Sequence, residues 1–236
     1  MIETAVILAA GKGTRMGRLT ADTPKPMLPL GGKPMLEHIL DRLRAAGIRR
    51  VLLVIGYRGD LIRAHFAGYP LTIEYREQEV ANGTGSAALL ARDFVGADAF
   101  VLTFGDILCS TADYQGLMAK MDSQAAGVLG VKYVDDPAPG AAVYEENDRV
   151  VRIVEKPPLG TSTTHWNSAG LYAFRPAVFE ELATVPLSPR GEYELTTAIE
   201  QLLRRDAVVR MYAIAQEWMD VGRPEDLARG ETLVRS

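Results

Sequence analysis

Thr4-Ala-Val-Ile-Leu-Ala-Ala-Gly-Lys-Gly-Thr-Arg-Met-Gly17 is the stretch from which the fold can be read. Thr4 to Leu8 is a short, continuous apolar run, the pattern of a strand buried on both faces. It runs straight into small residues and glycines, which let backbone amides approach phosphates closely. Two well-known phosphate loops fail on spacing. A Walker A loop needs Gly-x4-Gly-Lys-Ser/Thr, and no such string occurs. The dinucleotide fingerprint needs Gly-x-Gly-x-x-Gly, but after Gly11 and Gly13 the third glycine, Gly17, comes one residue late. Lys12 and Arg15 within the loop suit a highly charged group such as a triphosphate.

Further along, strand and helix patterns alternate. Pro34 opens a helix whose stripe is Met35, Leu36, Ile39, Leu40 and Leu43, closed by Gly47. Val51–Ile55 reads as a strand, Asp60–Phe66 as a helix, Leu71–Tyr75 as a strand and Thr84–Arg92 as an Ala-rich helix. Phe100–Phe104 is a further strand ending at Gly105-Asp106. Such alternation implies parallel strands with right-handed crossovers, a Rossmann-like doubly wound α/β sheet. After about residue 125 the texture changes. Ala126–Val131, Ala142–Tyr144, Val150–Val154 and Ala169–Phe174 read as extra strands with few helices between them, so the sheet is expected to be mixed. Glu192–Arg205 reads as a helix, and Pro224 starts a closing one. No stretch reads as a linker, and one domain over 1–236 is expected. Ligands of such sheets gather at the carboxyl ends of strands, here Ala9–Arg18 and Gly105-Asp106.

Composition narrows the function classes. Of 236 residues, 47% are apolar and 24% charged, which excludes disorder, collagen and coiled coil. The net charge of −4 gives no global basic field for nucleic acid. No run approaches a membrane span, and Ala5–Ala10 is too short for an export signal. Cys109 is the only cysteine, so no intrachain disulfide forms, which fits a reducing, cytoplasmic setting. Of 26 basic residues only six are lysine, and three of those lie in the first 33 residues. The acidic chain therefore carries a local positive patch, suited to a small anion.

Thr23-Pro-Lys-Pro-Met-Leu-Pro29 sets one lysine between two prolines, a flexible stem on a stiff backbone. Together with Leu8-Ala-Ala-Gly-Lys-Gly-Thr-Arg-Met16, this segment resembles the signature of the sugar-1-phosphate nucleotidylyltransferases. The resemblance runs through nearly the whole chain. It implies the nucleotide-diphospho-sugar transferase fold, with residues 1–125 mainly binding nucleotide and 126–236 mainly sugar phosphate. In that family the first motif wraps the nucleoside triphosphate, which assigns Leu8, Ala9, Ala10, Gly11, Gly13 and Thr14 to the nucleotide. Arg15 is then expected to stabilise the departing pyrophosphate, and Lys25 to contact the reacting phosphates.

The remaining stations follow by the same resemblance. Gln78-Glu-Val-Ala-Asn-Gly83-Thr84 matches the base-reading loop, with Gln78, Gly83 and Thr84 on the nucleotide. A side-chain amide offers a donor and an acceptor, which matches uracil or thymine and so UTP or dTTP. Glu77 and Glu79 flank it, and a shift of one residue would restore a guanine reader, as in a mannose-1-phosphate guanylyltransferase. Asp106, at the end of an apolar strand, and Asp220, in Trp218-Met-Asp-Val-Gly222, match the family's Mg²⁺ ligands. Two carboxylates with phosphate oxygens and water suit Mg²⁺, and no Cys/His spacing suggests zinc. Glu155-Lys156-Pro157 matches the motif that holds sugar hydroxyls and the sugar phosphate, and Gly140 falls where a glycine lies against the sugar ring. In Trp166-Asn-Ser-Ala-Gly170 the usual asparagine position is held by Ser168, with Asn167 one residue earlier, so either residue is left to contact the acceptor.

The resemblance thus implies an NTP and a sugar 1-phosphate giving an NDP-sugar and pyrophosphate, in a protein that often forms homo-oligomers. The alternatives are a cytidylyltransferase acting on phosphocholine or inositol phosphate, and a non-catalytic nucleotide-sugar sensor. No hexapeptide repeat follows the closing helix, so an added acyltransferase activity is not expected.

Overall fold

The structure is a computed structural model and describes residues 1–235. Its first half runs β1 (Thr4–Leu8), 3₁₀ turns at Thr14–Thr20 and Lys25–Met27, β2 (Pro29–Leu30), β3 (Lys33–Pro34), α1 (Met35–Ala45), β4 (Arg50–Ile55), α2 (Gly59–His65), β5 (Thr72–Glu77), α3 (Thr84–Leu89), α4 (Arg92–Val95), β6 (Phe100–Phe104), β7 (Ile107–Cys109) and α5 (Thr111–Ala119). The second half runs β8 (Ala125–Tyr133), β9 (Ala141–Glu146), β10 (Arg149–Glu155), β11 (Trp166–Phe174), α6 (Val178–Leu182), α7 (Leu195–Arg204), β12 (Val208–Ala213), β13 (Trp218–Asp220) and α8 (Asp226–Arg235).

Nine strands form one sheet in the order β5-β4-β1-β6-β11-β8-β12-β10-β9. The strands β5, β4, β1 and β6 are parallel, as the alternating pattern predicts. The chain then returns antiparallel: β11 lies against β6, and β8 against β11. The mixed sheet predicted for the second half is therefore present. It is also continuous with the first, because β11 joins the two.

Apolar layers cover both faces. Val6, Leu102, Tyr172 and Phe174 lie on one side, packed with α3, α6 and α7. Ala5, Ile7, Leu36, Leu43 and Leu171 lie on the other, with α1 and α5. Alternate residues of β1 feed opposite layers, which explains why its sequence is apolar throughout.

Three local differences from the sequence reading have physical causes. The predicted helix Thr84–Arg92 is broken into α3 and α4. Leu90 and Ala91 donate to carbonyls three residues back, at 3.3 and 3.0 Å, which tightens the turn into 3₁₀ form. The helix expected from Glu192 starts at Leu195, because the Tyr193 main chain pairs with Asn82 and Gly85 and the Glu194 carboxylate accepts from Ser188 and Arg190 in its own loop. Val208–Ala213, left unassigned by the sequence reading, is β12, whose Val209 and Met211 point into the core while its alternate residues are less buried. Among the described residues, no helix is long and apolar enough to cross a membrane.

Candidate active site

The parallel strands end in one cleft of about 440 Å³. All nine residues assigned to the nucleotide line it: Leu8, Ala9, Ala10, Gly11, Gly13, Thr14, Gln78, Gly83 and Thr84. Arg15, Lys25 and Asp106 line it as well. The loop after β1 is pinned at its root, where Ala9 N–H donates to Val54 at 2.8 Å and Gly105 N–H to Leu8 at 2.9 Å. Beyond that root, the amides of Gly11, Lys12 and Gly13 donate to no acceptor among the described residues. Such a run of free donors suits phosphate oxygens.

Gly13 could not be another residue. Its φ is +63°, and an added Cβ would lie 2.8 Å from Cβ of Lys25. The stem of Lys25 thus rests on the glycine. On the other side Pro26 packs on Gly105, where a Cβ would lie 3.0 Å from the proline ring. The Pro-Lys-Pro segment is in this way clamped between the β1 loop and the end of β6. Lys25 is buried, 6% exposed, and its Nζ meets Asp106 Oδ2 at 2.5 Å.

Asp220 arrives from the far end of the chain. β13 pairs antiparallel with β7, setting Asp220 opposite Ile107, and Val221 N–H donates to the Asp106 carbonyl at 3.0 Å. Asp220 is exposed at its rim, and the neighbouring chain takes away part of its water. That loss of water, together with the nearby Asp106 carboxylate, raises its pKa to about 6, against the pull of Lys25 and Arg15. Two carboxylates thus crowd together and share cationic neighbours. The donor set is hard oxygen, with no histidine or cysteine, and so fits Mg²⁺ rather than a softer metal. Among the described residues no cluster of three or more His, Cys, Asp or Glu forms a metal cage. Any ion here would therefore complete its shell with substrate oxygens and water.

The residues assigned to the acceptor gather at the ends of β9, β10 and β11. Gly140 accepts the Lys156 N–H at 2.8 Å, and its Cα is so close to Asn167 that a Cβ would lie 2.2 Å from Oδ1. Lys156 has φ +41°, and its ammonium has no hydrogen-bond or ion-pair partner among the described residues. Asn167 is committed to structure: Oδ1 accepts from Ala141 N–H at 3.0 Å, and Nδ2 donates to Ser168 carbonyl at 2.8 Å. Ser168 shares a 2.8 Å hydrogen bond with the Tyr172 hydroxyl. Glu155 accepts from Thr196 at 3.1 Å and from Arg190 at 3.2 Å. Burial first, then Glu194, pushes the Glu155 carboxyl up, while Arg190, Thr196 and Lys156 hold it down.

Sequence reading does not single out Arg190 or Ser86, and it takes Tyr193 only within Glu192-Tyr-Glu194-Leu-Thr196, which resembles a family segment near the sugar; all three join the stations. Arg190 bridges Glu155 to Glu194, at 2.6 Å, and Glu192 lines the nucleotide cleft. Tyr193 stitches the base loop to this segment, donating to Asn82 carbonyl at 2.8 Å and accepting from Gly85 N–H at 2.7 Å. Thr84 accepts the Leu195 N–H at 3.1 Å, so it caps α7 from another element. By their charge, Glu192 and Glu194 could equally serve the start of α7; Glu194, at its N-cap, makes no capping hydrogen bond there.

Residues 4–236 match the model of the nucleotidyl transferase family. The chain is 35% identical over 224 residues to the bifunctional protein GlmU of Methanocaldococcus jannaschii, covering 94% of this chain and 52% of the relative. The chain thus spans about half the length of that relative. It is 34% identical to the UTP–glucose-1-phosphate uridylyltransferase AglF of Haloferax volcanii, over 96% of this chain and 94% of AglF. A solved Bacillus anthracis structure, assigned as a glucose-1-phosphate thymidylyltransferase, superposes with TM-score 0.86 at 27% identity, over 100% of this chain and 96% of that one. With a glycine-rich loop, a buried lysine and Asp106 in one cleft, the chain belongs to the nucleotidyl transferase family.

Proposed function

We propose that this protein transfers a nucleotidyl group from UTP or dTTP to a sugar 1-phosphate, releasing pyrophosphate. The observation that carries the reading is the buried Lys25 ammonium, held beside Asp106, Asp220 and Arg15 at the mouth of a loop of free amides. In the reaction an oxygen of the acceptor phosphate forms a bond to the α-phosphorus. The bond from that phosphorus to the α,β-bridging oxygen breaks, and the electron pair leaves with pyrophosphate. The attacking oxygen is already ionised, so no general base is needed. Both reactants are anions, and the protein's task is positioning and charge neutralisation.

Each residue then has a role. Gly11 to Thr14 cradle the phosphates, and Arg15 meets the charge that builds on the leaving group. Lys25 releases Asp106 and turns to the reacting phosphates. Lys156 holds the acceptor phosphate, and Glu155, steadied by Arg190 and Thr196, takes sugar hydroxyls. Asp106 and Asp220 would hold Mg²⁺, which when bound neutralises phosphate charge as a Lewis acid. Asn167, whose amide is spent on backbone groups, shapes the Gly140 corner, so Ser168 is the better placed of the two to meet the acceptor. The name of AglF makes UTP with glucose 1-phosphate the first pair to test.

Pyrophosphate release, measured over five nucleotides against several sugar phosphates with Mg²⁺, tests the reading. UTP or dTTP should lead the matrix, and Lys25→Ala should lower turnover by about 10²–10³-fold, the scale of losing one preorganised charge contact. Turnover with CTP and phosphocholine alone, or a Lys25→Ala rate near wild type, would contradict it.

A further inference from the structure

The amide of Gln78 is held in one orientation by its own loop. Nε2 donates to the Gly83 carbonyl at 3.0 Å and to Ser86 Oγ at 3.0 Å, with Asn82 Oδ1 at 3.4 Å. A backbone carbonyl can only accept, so the atom facing Gly83 is the NH₂ group and a flipped amide is excluded. Ser86 Oγ also lies at 2.9 Å from the Gly83 carbonyl and in hydrogen-bond contact with Asn82 Oδ1. Its single proton goes to one of those oxygens, and its lone pairs remain for Gln78. Both protons of the Gln78 amide are therefore engaged by protein. Oε1 carries no protein hydrogen bond, on a side chain that lines the cleft.

The clamp cannot drift easily. Gly83 has φ +119°, and a Cβ there would lie 2.4 Å from the Tyr193 carbonyl oxygen. The main chain on either side is tied to Tyr193 through Asn82 and Gly85. The Gln78 N–H is itself fixed to the Ile55 carbonyl at 2.8 Å.

We propose that Ser86 and Asn82 are specificity-determining positioning residues, which occupy the donors of Gln78 so that it presents an acceptor alone to the base. Such an edge accepts bases whose ring nitrogen carries a proton, as in uracil and thymine. It rejects cytosine, whose N3 is a lone pair that would face Oε1 with no proton between them. This inference rests on the proposed reading of the cleft as a nucleotide site. It also sharpens that reading: discrimination among pyrimidines comes from hydroxyl and amide groups behind Gln78, and not from Gln78 by itself.

The test is calorimetric binding of UTP and of CTP, with Mg²⁺, to the wild-type chain, to the double variant Asn82→Ala/Ser86→Ala, and to Ser86→Thr. Removing both acceptors frees an N–H of Gln78 to reach cytosine N3. The ratio of UTP to CTP affinity should fall about tenfold in the double variant, the scale of one hydrogen bond made or left unmade. Ser86→Thr, which keeps the hydroxyl, should retain the wild-type ratio. A general loosening of the loop would weaken both nucleotides alike and leave the ratio fixed. An unchanged ratio in the double variant, or a wild-type preference for CTP, overturns the inference while leaving a nucleotide site in place. Failure of the wild type to bind any nucleotide overturns the cleft reading itself.

Discussion

Asp220 shows how one residue can carry a negative charge at a cost to the fold. Its carboxyl is raised from an ordinary 3.8 to about 6 by lost water and by Asp106. The folded chain therefore holds this proton more tightly than the unfolded chain does. Stability linked to the group is fully present below about pH 4 and is lost as pH rises through about 6. In metal-free solution Asp220→Asn should raise the melting temperature near pH 7.5, and the gain should shrink by pH 5. Calorimetry in EDTA at the two pH values checks this, and an Asn variant less stable than wild type at pH 7.5 would refute it. Lys25 carries the complementary charge. The scarcity of lysine in the sequence points at it, and the structure rests its stem on Gly13 and sets its compact ammonium on Asp106. Arg190 gives no such signal. Nothing in Ser188-Pro-Arg-Gly-Glu192 tells that its guanidinium crosses to Glu155, 35 residues away in the chain.

Among the elements, the link that carries Asp220 to Asp106 is a buried acid. Asp113 is fully buried in the first turn of α5. It accepts from the Tyr212 hydroxyl and the Ala215 N–H, both at 3.0 Å, and from Ser110 Oγ at 2.7 Å. These bonds tie α5 to the segment that leaves β12 and becomes β13. Asp113→Ala would leave the Ala215 amide without its partner, and should lower unfolding free energy by about 3 kcal/mol, the range for breaking a buried charged network. Urea titration measures this. A loss under 1 kcal/mol would mean water replaces the carboxylate. The strands β1, β4 and β6 were legible because each is apolar on both faces. The strands β7 and β13 were not. Each has three residues, and they exist only because they pair with each other across more than 100 positions.

The whole molecule closes one sheet around both proposed halves. The strand β11, from the second half, pairs with β6 from the first, and each apolar layer draws on both. Phe100 stacks on Phe179 at 5.3 Å and lies 6.2 Å from Phe174, so the core has no seam at residue 125. We expect a single cooperative transition in denaturant, coincident by far-UV circular dichroism and tryptophan fluorescence. Both tryptophans, Trp166 and Trp218, report on the second half, while the dichroism reports on the whole chain. Two separated transitions would divide the chain into independent units.

By itself the sequence determined the parallel α/β layout of the first half, the glycine-rich turn after β1, the stiff Pro-Lys-Pro segment and the expectation that Asp106 and Asp220 act as a pair. Apolar periodicity, glycine and proline act locally, and their consequences are written in consecutive residues. Only the tertiary structure decided which groups meet. It set Lys25 on Asp106, committed Asn167 to the backbone, brought Arg190 to Glu155 and turned the Gln78 amide toward Ser86. A hydrogen bond depends on a few ångströms between atoms, and for side chains distant in sequence that separation is set by the packing of the whole sheet.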